Sequence, residues 1–329
     1  MTIPTNLWQK TNTGFKGNRE DLLDIIFNTS PTETPITSAM GRVTATSDFH
    51  EWQTDSLSAV DPASKMVEGD DATLAVLTGT SRLGNHLQTF NTAVGVSRRA
   101  NIIKKAGRAT EMAYQKSKAM LQMKKNIEAM VLSPTQVAVA ATVSVAGQSG
   151  GLGVQCVSNP LHNGAGATAA WTSGAPTVAV TAGTNRTWTK TLLDTACQNV
   201  FTTSGAFAEM LVVSPNHKSL FSAFASVAQN RIDVKGGKNA QATIVGGAEI
   251  YLSDFGGISV IPHYILAGAG FNDTAYLLNT DYLDLAFLDG FVTSDLAKTG
   301  DSDKVLITAD CCLAVRAPTA QAKITNLTP

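Results

Sequence analysis

The sequence predicts an α+β fold, and three observations predict it. Residues 30–88 form a long, polar, turn-rich stretch with isolated bulky side chains such as Phe49, Trp52 and Leu57, too few to build a core of their own. Residues 98–132 follow with almost no helix breakers, enough for a helix of roughly 50 Å at 1.5 Å per residue. From residue 189 onward, helix and strand signals mix without the repeated strand–helix–strand units of a doubly wound sheet. A long arm followed by a helical strut points to a subunit completed by its neighbours, which is the logic of a shell.

The 329 residues, 43% hydrophobic and 16% charged, can bury a sizeable core. A formal net charge of -1 excludes a surface that binds polyanions throughout, so any affinity for nucleic acid must be local. No apolar segment precedes Asn18 in the manner of a signal peptide, and no apolar run reaches the eighteen or so residues of a membrane span. The expectation is a cytosolic chain, in which the sequon Asn185-Arg186-Thr187 is accidental. Four cysteines, Cys156, Cys197, Cys311 and Cys312, are too few and too irregular for a disulfide framework or a metal site. Cys311 and Cys312 would point to opposite faces of a strand, so all four read as structural thiols.

In chain order, a short helix is expected over residues 19–27, capped by Asn18, with Glu20 and Asp21 in its first turn and Leu22, Leu23, Ile25 and Ile26 as its apolar face. Ser30-Pro31 and Thr34-Pro35 stop it, because proline pushes the preceding residue toward extended geometry. Residues 43–96 read as a two-stranded excursion punctuated by Asp61-Pro62, Glu68-Gly69 and Gly84-Asn85. The helix over 98–132 carries a stripe of Ala106, Ala109, Ala113, Met120, Ile127 and Val131 and ends at Ser133-Pro134. Between Glu128 and Arg186 there is no Asp, Glu, Lys or Arg, so this segment is either a small-residue β region or a set of sheltered loops. Beyond it come a helix over 189–203 with Gly205 behind it and a strand over 210–213. A helix then starts at Ser214-Pro215, with Leu220, Phe221, Phe224 and Val227 as its apolar face. Residues 248–253 and 258–261 flank a hairpin turn at 254–257, and residues 304–315 form a closing strand.

Catalytic motifs fail on inspection. Gly147-Gln148-Ser149-Gly150-Gly151 matches the spacing of a hydrolase nucleophile elbow, and Asp254 and His263 follow in the matching order. Such an elbow must feed a helix, whereas Ser149 is followed by Gly151, Gly153 and β-branched residues, so a serine hydrolase is the remote alternative. His50-Glu51 opens like a zinc-protease motif, but Thr54 stands where the second histidine belongs. Gly236-Gly237-Lys238 is no phosphate loop, because Ile232 and Asn239 occupy the required glycine and hydroxyl positions. His86 and His217 read as ordinary hydrogen-bonded or solvated histidines. No catalytic residue, cofactor or metal ligand is expected.

Five collinear segments carry a resemblance. They are Asn18-Arg19-Glu20-Asp21-Leu22-Leu23-Asp24-Ile25-Ile26, Ser30-Pro31-Thr32-Glu33-Thr34-Pro35, His50-Glu51-Trp52-Gln53-Thr54-Asp55, Glu68-Gly69-Asp70-Asp71 and Leu296-Ala297-Lys298-Thr299-Gly300-Asp301-Ser302. Together they closely resemble a family of tailed-bacteriophage major head proteins over residues 18–324, most weakly in the uncharged segment. The resemblance implies the capsid fold named after phage Hong Kong 97, with an arm at 1–47, an extended loop at 48–97 and a spine helix and part of a peripheral domain at 98–188. An axial domain would occupy 189–270, with a return to the peripheral domain at 271–329. It further implies a virion structural protein, assembled in the host cytoplasm as pentamers and hexamers around packaged double-stranded DNA. Its partners would be itself, a portal protein and separate scaffold or decoration proteins. An encapsulin-like compartment shell is the alternative of related architecture. A scaffolding segment of the kind some relatives remove by proteolysis would be absent from this chain or already removed, since about seventeen residues precede the first expected helix. Lys65, the one lysine of the loop, is the candidate for a loop crosslink, with a solvated loop-tip lysine as the plain reading.

The candidate contact residues follow from this frame. Phe49 and Trp52 belong either to the subunit's own core or to a neighbour's surface. Residues 48–71 hold seven acids, Asp70 and Asp71 among them, against Lys65 alone. Residues 98–125 hold nine bases, including Arg98, Arg99, Lys104, Lys105 and Arg108, against Glu111 alone. Three readings stand: loop-to-spine docking between subunits, contact of the spine with DNA phosphates, or a solvated face.

Overall fold

The computed structural model describes residues 24–71, 74, 77, 79–224 and 249–329. In chain order the elements are α1 (Pro35–Ala39), β1 (Gly41–Thr44), β2 (Phe49–Thr54), β3 (Ser81–His86), β4 (Gln88–Ser97), α2 (Arg98–Ile102), α3 (Glu111–Leu132), α4 (Leu152–Gln155) and β5 (Pro160–Leu161). There follow α5 (Lys190–Ser204), β6 (Met210–Val213), α6 (Pro215–Ser222), β7 (Ile250–Ser253), β8 (Gly256–Pro262), β9 (Ala275–Leu278), β10 (Leu283–Asp295), β11 (Ser302–Val315) and β12 (Ala322–Ile324).

Three sheets organise these elements: a four-stranded sheet ordered β1-β10-β11-β4, a six-stranded sheet ordered β5-β12-β9-β6-β8-β7, and the isolated pair β2-β3. β1 runs parallel to β10, and the long antiparallel ladders β10-β11 and β11-β4 build the rest of the first sheet. One core lies between that sheet and α3 and contains Met123, Ile127, Val131, Leu285, Ile307, Cys311 and Leu313. A second core packs α5 and α6 on the six-stranded sheet through Leu193, Val200, Leu211, Phe221, Ile258 and Leu277. Cys312 faces away from Cys311 into a small cluster with Ala45, Leu87 and Ala286. All four cysteines are buried, and burial pushes the thiols of Cys156, Cys197 and Cys312 up to about 12, as expected of inert structural thiols.

The 98–132 helix is two helices. Gly107, at φ +75, takes the left-handed geometry that glycine tolerates, and the chain turns between α2 and α3. Its N–H donates to Asp24 Oδ1 at 2.6 Å, and a Cβ there would meet Ile26 Cγ1 at 2.8 Å, so the arm seats directly on the break. Ser97 caps α2 by accepting from Ala100 N–H, and Asn101 accepts from Glu111 N–H at 3.2 Å at the start of α3. The spine therefore spans 22 residues, about 33 Å at 1.5 Å per residue. Its buried stripe is Ala119, Met123, Ile127 and Met130 with Val131, while Ala106 and Ala109 precede the helix.

Other expectations also need correction. Residues 19–23 lie outside the described residues, and Asp24, Ile25, Ile26 and Phe27 are exposed and non-helical, held by the Gly107 turn rather than by a helix of their own. The two-stranded excursion ends at His86, because β4 returns to pair with β11. Gly84 and Asn85 are not a turn: they lie within β3, where Gly84 leaves room for the Phe49 ring, 2.6 Å from where a Cβ would sit. The uncharged segment is chiefly loops with isolated bridges such as Val139 to Gln148, sheltered over residues 149–156 by the subunit itself. α6 ends at Ser222, Leu220 is partly exposed, and Val227 and residues 232–239 lie outside the described residues.

From α5 to β8 the sequence reading matches the structure, except that the β7-β8 turn is two residues rather than four, while β9 and β10 were not expected. Gly205 ends α5 at φ +68, Ser214 caps α6 by accepting from His217 N–H, and β7 turns into β8 through Asp254 and Phe255. Among the described residues, no helix is long and apolar enough to cross a membrane.

Candidate assembly surfaces

The β2-β3 ribbon projects from the body and has two distinct parts. At its base, Phe49 packs on His86 with ring centroids 4.6 Å apart, and Trp52 meets Trp171 edge-on at 5.9 Å. Gly84 N–H donates to Gly174 O at 2.7 Å, joining the ribbon to the uncharged segment. Asn85 is fully buried and bridges three regions: its Nδ2 donates to Leu313 O at 2.7 Å and to Ser149 Oγ at 3.0 Å, and its Oδ1 accepts from Gly150 N–H. Phe49 and Trp52 are thus half-buried within their own subunit.

The tip is different. Ser64 N–H closes a turn on Asp61 O, Asp61 Oδ1 accepts from Ala63 N–H, and Asp70 N–H closes a second turn on Val67 O around Gly69 at φ +84. Among the described residues of this segment, Leu57, Val60, Leu74 and Leu77 are 90–98% exposed, and Met66 and Val67 are exposed as well. Lys65, Asp70 and Asp71 are exposed on the same tip. Large apolar side chains left this exposed are what an interaction surface would use.

The basic residues over 98–125 include those paired within the subunit and those exposed. Arg98 pairs with Asp301 at 2.8 Å on the surface. Arg108 reaches Glu111 at 2.7 Å and Lys105 reaches it at 3.9 Å, so these three residues serve the local fold around the helix break. Arg99 is exposed on α2, Lys104 in the link between α2 and α3, and Lys118 and Lys124 on α3. Lys125 lies 5.4 Å above the Tyr264 ring.

Catalytic geometry is missing at Ser149. Its hydroxyl is buried and accepts from Asn85 Nδ2 and from Leu313 N–H at 3.2 Å, while His263 bonds to Glu128 and Asp254 occupies the β7-β8 turn. His217 is an ordinary core histidine, bound to Ser214 Oγ at 2.8 Å and Thr328 O at 3.1 Å.

Sequence reasoning missed two buried groups. Lys323 on β12 is fully buried, donates to Gly153 O, and is pushed down to about 8 by burial. Glu128 is fully buried on α3, where it accepts from Ile36 N–H, Thr37 N–H and His263. Its position one residue after Ile127 in the apolar stripe was the available signal.

A long hairpin loop, a spine helix under a four-stranded sheet and a second helix-covered sheet together define a viral shell subunit of the Hong Kong 97 type. Solved structures share the fold. A chain of Gordonia phage Cozz superposes with a TM-score of 0.61 at 10% identity, covering 100% of this chain and 99% of that one. The Cyanophage A-1(L) capsid asymmetric unit gives a TM-score of 0.62 at 14% identity, covering 95% and 98%. A major capsid protein of Escherichia phage Phieco32 is 34% identical over 104 residues, 32% of this chain and 30% of that protein. The family model described as SU10 major capsid protein matches residues 9–328, and the chain belongs to that family. Its family is one of structural capsid proteins, which favours a phage head over an encapsulin-like compartment and over a hydrolase.

Proposed function

We propose that this chain polymerises, as pentamers and hexamers, into the closed head that encloses packaged double-stranded DNA, assembling in the host cytoplasm with a portal protein and separate scaffold or decoration proteins. The observation that carries the reading is the loop tip, whose leucines are almost wholly solvent-exposed within one subunit. Covering such a side chain with an adjacent copy contributes roughly 1.5–3 kcal/mol. Repeated around every subunit, modest contacts of this size stabilise a shell. In this reading residues 1–47 are an arm, 48–97 the loop, 98–188 and 271–329 the peripheral domain, and 189–270 the axial domain. DNA is contacted non-specifically at most.

Loop docking also has an electrostatic side. Arg98, Lys105 and Arg108 have acidic partners within the subunit, which leaves Arg99 and Lys104 as the bases best placed to meet Asp70 and Asp71 of a neighbour. Each exposed pair contributes only about 0–1 kcal/mol, so its role is orientation and rate. The test is assembly of DNA-free protein, followed by light scattering and electron microscopy, beside an Asp70→Lys/Asp71→Lys variant. Closed shells or capsomers form on concentration, and the variant assembles more slowly at low ionic strength. A compact monomer at every concentration and salt overturns the shell reading; an unchanged variant rate overturns only the docking pair.

A further inference from the structure

Glu128 joins three parts of the chain that are far apart in sequence. Its Oε1 accepts from Ile36 N–H at 2.9 Å and its Oε2 from Thr37 N–H at 2.9 Å, both in the first turn of α1, where the arm enters the body. His263, which follows β8, donates from Nε2 to the same Oε1 at 3.0 Å. The tautomer is fixed locally, because His263 Nδ1 accepts from Ile265 N–H at 3.1 Å and therefore carries no proton of its own. Glu128 and His263 are both buried to within 1% of full enclosure. Tyr264 stacks on His263 at 5.0 Å, and Lys125, one turn before Glu128 on α3, lies over the outer side of that ring.

α1 packs Ile36, with Met40 just after it, into the core beside α3, so its side chains are held independently of Glu128. It is five residues long, and Thr34 provides no side-chain cap. Two adjacent N–H groups aimed at one carboxylate replace that cap with charge-assisted bonds supplied by a residue 91 and 92 positions away. The arrangement works only while Glu128 is ionised, since a protonated carboxyl has one oxygen occupied by its own hydrogen and loses an acceptor.

We propose that Glu128 is a clasp that fixes the first turn of α1 to α3 and lets go when it is protonated, loosening that turn without unfolding the body. Burial alone would push this carboxyl up, but the bonds from His263, Thr37 and Ile36 outweigh burial and hold it below the ordinary carboxylate value. The sign follows. A carboxyl depressed in the folded state gives stability that is present above its unfolded value and lost as pH falls through the depressed one. The clasp therefore stays closed at neutral pH and opens only in acid below the usual carboxylate range.

Hydrogen exchange of the full-length protein, corrected for the intrinsic pH dependence of exchange, tests the clasp. The Ile36 and Thr37 amides are protected at pH 7 and lose protection in acid before the β11 amides do. In Glu128→Gln their protection at pH 7 falls on the order of tenfold or more, with β11 unaffected. His263→Leu, which has no donor, provides the second arm of the test: the carboxylate and the α1 bonds remain, and opening moves to higher pH because one bond that favours ionisation is gone. Unchanged α1 protection in Glu128→Gln, or wild-type α1 and β11 amides lost together in acid, overturns the clasp. If Glu128→Gln does not fold, an unshifted opening pH in His263→Leu overturns it alone.

Discussion

The closing strands and the loop tip carry apolar residues to opposite ends. Along β11 and β12, Val305, Ile307, Leu313, Val315 and Ile324 are buried, most of them completely. At the loop tip Leu57, Val60, Leu74 and Leu77 are almost fully exposed. Leucine and valine occur in both places. The difference is the presence of partners: β11 lies between two strands and over α3, whereas the tip has only its own turns. Burial within the subunit stabilises the strands, and on the proposed reading the exposed loop tip is what a neighbouring copy covers.

The comparison is broken hardest from the strand side. Leu313 is fully buried among α3 and sheet residues, and its backbone anchors both Asn85 and Ser149. Leu313→Ala leaves a cavity and costs about 2–5 kcal/mol. Thermal melting of the isolated subunit shows this as a large drop. A shift no bigger than that of a surface substitution would place the core elsewhere.

A smaller effect sharpens the border between the two regions. Phe49 and Trp52 stand at the ribbon base with partners in their own subunit, yet both remain partly exposed. Replacing both with alanine costs about 1–3 kcal/mol, through partial burial and the lost ring contacts. The subunit stays folded by circular dichroism while the ribbon base exchanges faster. A loss as large as that of Leu313→Ala would make the pair part of the main core, and no loss at all would assign it wholly to a neighbour.

Much of the region from α5 to β8 was legible because local chemistry decides it. Ser214-Pro215 caps α6, Gly205 ends α5, and the alternating residues of β7 and β8 meet at a two-residue turn. The spine was misjudged because one glycine in a run of good helix formers is a weak signal until its φ is known, and the arm contact that makes Gly107 necessary comes from Asp24 and Ile26, far back in sequence. Gly84-Asn85 misled for a related reason. The pair has turn composition, but Gly84 serves a close approach to Phe49, and Asn85 saturates buried carbonyls and amides contributed by residues 149–150 and 313. The exposure of the loop tip was legible, because a polar stretch with isolated leucines has no core to offer them. Which bases remain free to receive it was not, since the partners of Arg98, Lys105 and Arg108 depend on tertiary placement.

The central claim, that the loop tip serves the shell and not the subunit, is tested most directly by one variant measured two ways. In Leu57→Ser/Leu74→Ser/Leu77→Ser the isolated subunit melts close to the wild type, since each exposed substitution changes stability by no more than about 0.5 kcal/mol. Under conditions where the wild type forms shells, the variant remains as monomers or incomplete capsomers by light scattering and electron microscopy. Wild-type assembly by this variant, or a subunit that unfolds, would contradict the account.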